Sequence, residues 1–216
     1  MEVEPSVRLV IFRGTDDTLI GWKEDFLMTY SPLVAAQTDA KEYLAKQASL
    51  FDGDLMVSGH SKGGNLAIYA AATQEEDVQL RLVDIFCFDS PGLHRSVLET
   101  KGYKNIVPLA MRYIPQDSLV GLMLESEVPY VIVKSNARGA MQHSAMTWGV
   151  EDGHFVTMEK LTKNSQLNDQ TFKKWTESVS DEELELFWNV FFELLFTVGI
   201  DTVNDLYGQF MHYVQE

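Results

Sequence analysis

The sequence predicts an α/β fold, in which helices cover a mainly parallel sheet and a helical appendage follows at the C-terminal end. Short, almost continuously apolar runs alternate with segments of helical pattern between residues 7 and 135. Strands with this composition are usually covered on both faces, and strand–helix alternation is typical of βαβ units. From Asn168 onward the strand pattern disappears, and helical periodicity takes its place.

The individual elements follow from these patterns. Five apolar runs are predicted strands, and two intervening segments of mixed apolar and polar residues are predicted helices. Right-handed crossovers place the loops that carry function at the carboxyl ends of the strands. The strands are expected at residues 7–12, 54–59, 82–89, 105–114 and 130–135, and the helices at 35–50 and 63–74.

The tail reads as two further helices. Ser180 is a predicted N-cap, and the acidic residues 181–183 occupy the first turn, where carboxylates favour the helix dipole. Gly199 is expected to end this helix, and a second one is predicted over residues 201–214. We therefore divide the chain into an α/β domain, residues 1–160, and a helical extension, residues 161–216. The extension is expected to pack on the sheet or on a neighbouring subunit.

Composition excludes several classes of partner. The 216 residues include 32 acidic and 17 basic side chains, a net charge of −15, with no basic cluster. Such a chain repels nucleic acid and anionic lipid surfaces. The single cysteine, Cys87, lies in an apolar run and is expected in the core, which fits a reducing compartment. With no signal sequence and no long uncharged apolar stretch, we expect a soluble cytoplasmic protein without stable membrane insertion.

The pentapeptide Gly59-His60-Ser61-Lys62-Gly63 lies where a predicted strand turns into a predicted helix. This pattern and context are typical of a nucleophile elbow, in which a strained turn lifts the serine hydroxyl above the sheet. Glycine is needed two residues before and after the serine, because larger side chains would collide with the facing backbone. The alternative is a glycine-rich turn with no chemistry.

A serine nucleophile needs a base and an acid. In α/β-hydrolases the chain order is Ser, then Asp or Glu, then His, each just past a strand. Asp117 follows the predicted strand 105–114, and His143 follows the strand 130–135. The sequence therefore predicts the triad Ser61, Asp117 and His143.

Other residues compete for these positions. Asp89 also follows a strand, but that strand comes directly after the nucleophile helix, so we expect Asp89 to shape the site and not to act as triad acid. His154 remains an alternative base. His60 is too close to Ser61 in the chain to turn back onto its hydroxyl, His94 precedes Asp117, and His212 lies in the helical tail.

Two backbone donors are expected to form the oxyanion hole. The first strand ends in Arg13-Gly14-Thr15, where the N–H of Thr15 is one candidate and its hydroxyl adds a second donor. The N–H of Lys62, the residue after the nucleophile, completes the pair. The alternative is that the segment after the first strand is a plain Asp-rich turn.

The segments FRGTDD, GWKEDF and VSGHSKGGNLA resemble the class 3 lipases of the α/β-hydrolase superfamily. The chain is more closely similar to an uncharacterised bacterial lipase-like family, in which lysine follows the serine and segments like IPQDSLVG and QHSAMTW occur. The resemblance covers residues 7–148. It implies an α/β-hydrolase-like sheet, and it implies structural roles for Trp22 and Asp25. It also implies Ser61 as nucleophile, Asp117 as acid, His143 as base, and Thr15 and Lys62 as oxyanion donors.

Three departures from class 3 lipases carry expectations of their own. Only six residues precede Val7, so the chain is expected to be shortened at its N-terminal end, and one sheet edge needs cover from a partner or from the tail. The short interval between Asp117 and His143 leaves little room for a lid. Lys62 replaces an apolar residue, and its side chain is expected either to favour anionic substrates or to lie in solvent.

The predicted function is hydrolysis of a carboxylic ester through an acyl-enzyme, with a small-molecule or lipid ester as substrate. No metal or cofactor is expected, and association into a homo-oligomer is a further expectation. Residues 18–30 and 119–126 either line an acyl pocket, form a lid or pack as core. Alternative functions are an acyltransferase or thioesterase with the same triad, or a non-catalytic binding module.

Overall fold

The computed structural model describes residues 1–4, 6–16, 18–202 and 205, and its main sheet has seven strands. The strands are β1 (Glu2–Glu4), β2 (Val7–Phe12), β3 (Asp54–His60), β4 (Leu82–Phe88), β5 (Ala110–Pro115), β6 (Tyr130–Val133) and β9 (Thr157–Met158), in that spatial order. A separate hairpin joins β7 (Val150–Glu151) to β8 (His154–Phe155). The predicted α/β class is confirmed.

The five strands from β2 to β6 are parallel, and each pairs with the next strand in the sequence. Leu55, Val57 and Ile85 are completely buried beneath the helices over residues 35–49 and 62–72. On the opposite face Ile11 is 56% exposed, and Phe88 and Tyr113 pack against Phe155 of the β7–β8 hairpin. The edges are antiparallel: β1 pairs with β2, and β9 pairs with β6. All carboxyl ends of the parallel strands therefore meet at one edge, where the predicted site residues follow them.

Helices connect the parallel strands and cover the sheet. The helices α2 (Ala35–Ser49) and α3 (Lys62–Ala72) lie close to the predicted ranges 35–50 and 63–74. A further helix, α1 (Leu19–Leu27), was not predicted. Thr18 caps α1 by accepting a hydrogen bond from the Gly21 N–H at 3.2 Å. The remaining helices before the tail are α4 (Glu76–Gln79), α5 (Arg95–Leu98) and α6 (Lys101–Ile106).

The predicted strand over residues 105–114 is wrong in its first half. Thr100 caps α6, which runs to Ile106, and a 3₁₀ turn over Val107–Leu109 separates this helix from β5. Pro108 offers no N–H to a neighbouring strand, so pairing begins only at Ala110. Of the apolar residues 106–109, Ile106 at the end of α6 is completely buried, while Val107 and Leu109 on the 3₁₀ turn are only partly buried.

The tail forms α7 (Lys163–Ser178) and α8 (Asp181–Thr197). Ser180 is the N-cap of α8, as predicted, and it forms a capping box with Glu183. The helix ends before Gly199, whose φ of 76° is left-handed. The predicted helix over 201–214 lies outside the described residues, apart from a few at its start.

The extension packs mainly on α1. The Phe26 ring of α1 stacks on the Trp188 ring of α8, with the centroids 4.0 Å apart. These rings belong to a second apolar cluster, separate from the sheet core, whose buried members are Leu19, Tyr30, Leu184, Trp188, Phe192 and Ile200. The tail therefore covers the helix next to the elbow and not the sheet edge. In the part of the chain that is described, no helix is long and apolar enough to cross a bilayer.

Candidate active site

The predicted elbow is present between β3 and α3. Ser61 has φ 58° and ψ −133°, a conformation that L-residues rarely adopt, and α3 begins at the next residue. The Ser61 N–H donates to the Phe88 carbonyl at 2.9 Å, which fixes the turn to the end of β4. The backbone geometry of a nucleophile elbow is therefore confirmed at Ser61.

The glycines of the elbow are required by close backbone contacts. A Cβ on Gly59 would lie 2.1 Å from the Gly63 carbonyl, and one on Gly63 would lie 2.2 Å from the Phe12 carbonyl. A Cβ on Gly14 would lie 2.7 Å from the His60 carbonyl and 3.3 Å from the Ser61 Cβ. The loop after β2 therefore lies directly beside the nucleophile position, as predicted for an oxyanion loop.

His143 ends a 3₁₀ turn, Gly139–His143, in the loop after β6. Its Nδ1 lies 2.7 Å from Oδ2 of Asp89, and this carboxylate is almost fully buried, with 1% of its side chain exposed. A buried carboxylate at this distance holds the imidazole in the tautomer that carries hydrogen on Nδ1. The Nε2 atom is then available to accept a proton.

Asp89 is held by its own set of donors. Its Oδ1 accepts hydrogen bonds from the Ser118 hydroxyl at 2.6 Å and from the Gly121 N–H at 3.1 Å. Together with His143 these supply three hydrogen-bond partners for the buried carboxylate. The backbone of Asp89 has φ 40°, in the left-handed region that Asp and Asn tolerate better than most residues. Asp89 is thus built into position as the partner of His143.

The prediction that Asp117 pairs with His143 is wrong. Its carboxylate accepts from the Thr162 hydroxyl at 2.5 Å and from the Gln142 amide at 3.5 Å. Its own N–H donates back to Gln142 Oε1 at 3.3 Å. Asp117 therefore connects the turn that carries His143 to the start of α7. Its sequence neighbour Ser118 is the residue that hydrogen-bonds to Asp89.

His60 brings the base loop to the elbow. Its Nε2 donates to the His143 carbonyl at 2.7 Å, and the two imidazole rings lie 4.6 Å apart between centroids. Burial lowers the pKa of His60 below its usual value, which favours the neutral ring. In the described residues no hydrogen bond joins the Ser61 hydroxyl to His143. The ring of His143 nevertheless lies beside that of His60, which directly precedes Ser61 in the chain.

Lys62 directly follows Ser61, and Thr15 follows Gly14, which lies beside Ser61. Across the described residues, neither backbone N–H has a hydrogen-bond partner. The Thr15 hydroxyl, however, donates to Asp25 Oδ2 at 2.5 Å. The expectation that this hydroxyl adds a second oxyanion donor is therefore wrong, because its only proton is already engaged.

The side chain of Lys62 is buried, with 8% exposed. Its Nζ lies 2.5 Å from Glu24 Oε2 and 3.2 Å from Asp25 Oδ1, both on α1. Neither predicted role, in solvent or attracting anionic substrates, fits this double ion pair. Burial raises the pKa of Asp25, while Thr15 and Lys62 act in the opposite direction. The Asp25 carboxylate therefore connects the oxyanion loop to the first residue of α3.

The alternative base has different surroundings. His154 is exposed, and its Nδ1 lies 2.9 Å from the Asp152 carbonyl within the β7–β8 hairpin. His94 caps the short helix α5 through its contacts with Ser96. Of the histidines that the structure describes, His143 is the one with a carboxylate partner. His212 lies outside the described residues.

Two large clefts lie away from the elbow. One, of about 880 Å³, lies between α7 and the segment 121–130, and the other, of about 550 Å³, lies beside the start of α8. Neither includes Ser61 or His143 in its walls. Of the two predicted pocket segments, 119–126 contributes to both clefts. Segment 18–30 contributes Thr29 to the second cleft, while its Leu19 packs in the cluster with α8.

The parallel sheet, with a strained serine after β3 and a His–Asp pair after β6 and β4, belongs to the class of α/β-hydrolase-like folds. A family model described as Mbeg1-like matches residues 1–193, and the chain therefore belongs to the Mbeg1-like family. A search of curated proteins finds no match. The family description names no activity, so the resemblance to class 3 lipases stays a prediction.

Proposed function

We propose that the protein is a serine hydrolase that cleaves a carboxylic ester through an acyl-enzyme. The observation that carries the proposal is the His143–Asp89 pair, 2.7 Å apart, on the loop that contacts the elbow of Ser61. A buried carboxylate paired with one imidazole nitrogen, next to a serine in a strained turn, is the arrangement that activates a hydroxyl.

In the proposed mechanism Ser61 Oγ attacks the acyl carbon while Nε2 of His143 takes the hydroxyl proton. Asp89 keeps hydrogen on Nδ1 and stabilises the imidazolium that forms. The free N–H groups of Thr15 and Lys62 bind the oxyanion, each lowering the barrier by about 3 kcal/mol. His143 then protonates the leaving alcohol, and water cleaves the acyl-enzyme. The missing Ser61–His143 hydrogen bond is compatible with this scheme, since such contacts often tighten only with substrate.

The surroundings of His143 favour an ester with an apolar acyl group. Met141 and Met146 lie within three residues of it along the chain, and they are 64% and 93% exposed. Flexible, exposed methionines adapt to apolar ligands of varied shape. The substrate is therefore proposed to be a small or lipid ester. The buried thiol of Cys87, whose pKa burial raises to about 12, suits a reducing cytoplasm.

The proposal is tested by labelling with a fluorophosphonate probe, which reacts with activated serines. The wild-type protein is expected to label and Ser61→Ala is expected not to. Ser58, the residue three positions before Ser61, is buried, and Ser58→Ala serves as a control that keeps Ser61. Nitrophenyl esters of rising chain length then define the acyl preference. A folded wild-type protein that neither labels nor turns over any ester would overturn the proposal and favour a binding module.

A further inference from the structure

Arg112 is a buried cation that forms no ion pair with any acidic residue the structure describes. It lies in β5 next to Cys87 of β4 and Tyr130 of β6, and only 5% of it is exposed. To described residues it donates through Nη2 alone, to the carbonyls of Gly121 and Ser90. Its Nε has no hydrogen-bond partner. Asp89, whose charge acts against the lowering of the Arg112 pKa by burial, is engaged with His143.

Such an arrangement is costly in the free protein. A buried charge normally has a paired charge or a full set of hydrogen bonds, because transfer from water carries a penalty of several kcal/mol. Burial also lowers the pKa of the Arg112 guanidinium. Carbonyl oxygens satisfy part of the guanidinium, but they carry no formal charge. A ligand that brings one negative charge to this position would remove the imbalance.

Arg112 forms part of the wall of the cleft of about 880 Å³ between α7 and the segment 121–130. Apolar side chains, including Leu98, Leu122 and Val128, line the same cleft. This combination of a large concave surface, apolar walls and one buried cation is typical of a site for a small organic ligand.

The charges at the rim decide which anion fits. Glu127 is paired with Lys104 at 2.6 Å, and Asp169 is paired with Lys173 at 2.8 Å. The remaining exposed charges of the wall, Glu125, Glu159 and Lys160, sum to minus one, and neither of the two glutamates forms an ion pair with Arg112 in the described residues. A dianionic phosphate would meet this acidic rim unfavourably. A carboxylate brings a single charge and matches the planar guanidinium in geometry.

We propose that the cleft between α7 and the segment 121–130 binds a small carboxylate with an apolar body, whose carboxylate group lies against Arg112. The apolar part contacts the leucine and valine side chains of the wall. The cleft shares Gly121 with the turn that holds Asp89, but it contains none of Ser61, Asp89 and His143. The proposed ligand therefore binds at a location separate from the reacting groups of the proposed hydrolysis.

The test measures binding to the full chain at low salt by ligand-observed NMR titration. Benzoate is the probe, and benzamide is the neutral compound of matching shape. Benzoate is expected to bind saturably and benzamide much more weakly. Lys160→Glu reverses a charge at the rim and is expected to weaken benzoate binding by about threefold to fivefold. Lys174→Glu makes the same change at an exposed α7 position that lines neither cleft, and it is expected to leave the affinity unchanged.

Arg112→Lys keeps the charge and removes the planar fork, and it is expected to weaken binding by about tenfold. If this variant does not fold, the comparison of Lys160→Glu with Lys174→Glu decides the matter. The proposal is overturned if benzoate shows no saturable binding or benzamide binds equally well. Equal effects of the two lysine variants would also overturn it, because they would place the probe elsewhere on the protein.

Discussion

Exchange of Asp89 for asparagine tests whether the partner of His143 is Asp89, as in the structure, or Asp117, as the spacing along the chain predicts. In Asp89→Asn the amide oxygen can still accept from Ser118 and Gly121, which donate at 2.6 and 3.1 Å to Oδ1 of the native carboxylate. The amide nitrogen then replaces Oδ2, 2.7 Å from Nδ1 of His143. Because this nitrogen donates, the imidazole must present Nδ1 as acceptor and carry its hydrogen on Nε2, where it cannot take the serine proton.

The expected effect is large in rate and small in stability. Asparagine tolerates the positive φ of residue 89, so the fold is expected to persist. The wrong tautomer is expected to lower kcat/KM by about 10³- to 10⁴-fold, a loss of about 4–5.5 kcal/mol in transition-state stabilisation. The assay is ester turnover, or the second-order rate of fluorophosphonate labelling if turnover is slow. Circular dichroism checks the fold of each variant.

Asp117→Asn is the matched control. Its amide oxygen keeps the hydrogen bond from Thr162, and only the long 3.5 Å contact with Gln142 is disturbed. We expect a loss of about 1 kcal/mol in the free energy of unfolding and less than about a tenfold loss of activity. The reasoning is refuted if Asp117→Asn is inactive while Asp89→Asn retains near wild-type rates, since the geometry assigns the opposite roles.

Three further substitutions test the supports of the site. Gly63→Ala places a Cβ 2.2 Å from the Phe12 carbonyl and should lower the free energy of unfolding by about 2–3 kcal/mol in urea titrations; an unchanged midpoint would contradict the close approach. Lys62→Met leaves the partly buried Asp25 carboxylate without its cation and should cost about 3 kcal/mol in the same assay, with the loss shrinking at acid pH as Asp25 protonates. The lowered pKa of folded His60 means that the unfolded chain binds this proton more readily, so stability should fall as pH drops below about 6.5. His60→Gln keeps a donor for the facing carbonyl and should flatten this slope; an unaltered slope would assign the effect to another group.

Apolar runs predicted the central sheet well, because strands with apolar side chains on both faces have a simple sequence pattern. The strands β2, β3, β4 and β6 lie within one or two residues of their predicted bounds. The edge strands β1 and β9 have three and two residues, too few for any pattern to emerge. Residues 105–109 misled the prediction, since apolar side chains on a short helix and on a strand look alike in sequence.

Spacing along the chain favours Asp117 over Asp89 as the acid, although Asp89 also directly follows a predicted strand. Asp89 and Asp117 both follow strands that end at the same edge, and chain order admits either one. What separates them is three-dimensional: the left-handed backbone of Asp89 turns its carboxylate toward His143, and Ser118 supplies the second support. Neither feature can be inferred from spacing along the chain.

The partners of Lys62 could not be predicted either. Its ion pairs with Glu24 and Asp25 join distant segments of the chain, since the hydrogen bond to Glu24 spans 38 positions. The sequence segment GWKEDF gave no helical prediction, yet α1 turns both carboxylates toward the first residue of α3. Long-range pairing of this kind depends on how the helix docks.

The sheet ends in two very short antiparallel strands, one at each side. Edge strands this short offer few backbone hydrogen bonds to a strand of another molecule, so edge-to-edge association of sheets is disfavoured. Self-association of this protein, where it occurs, would then have to use helical surfaces. The helix that ends at Thr197 is one such surface, because Leu186, Val190 and Leu194 are about half or more open to solvent.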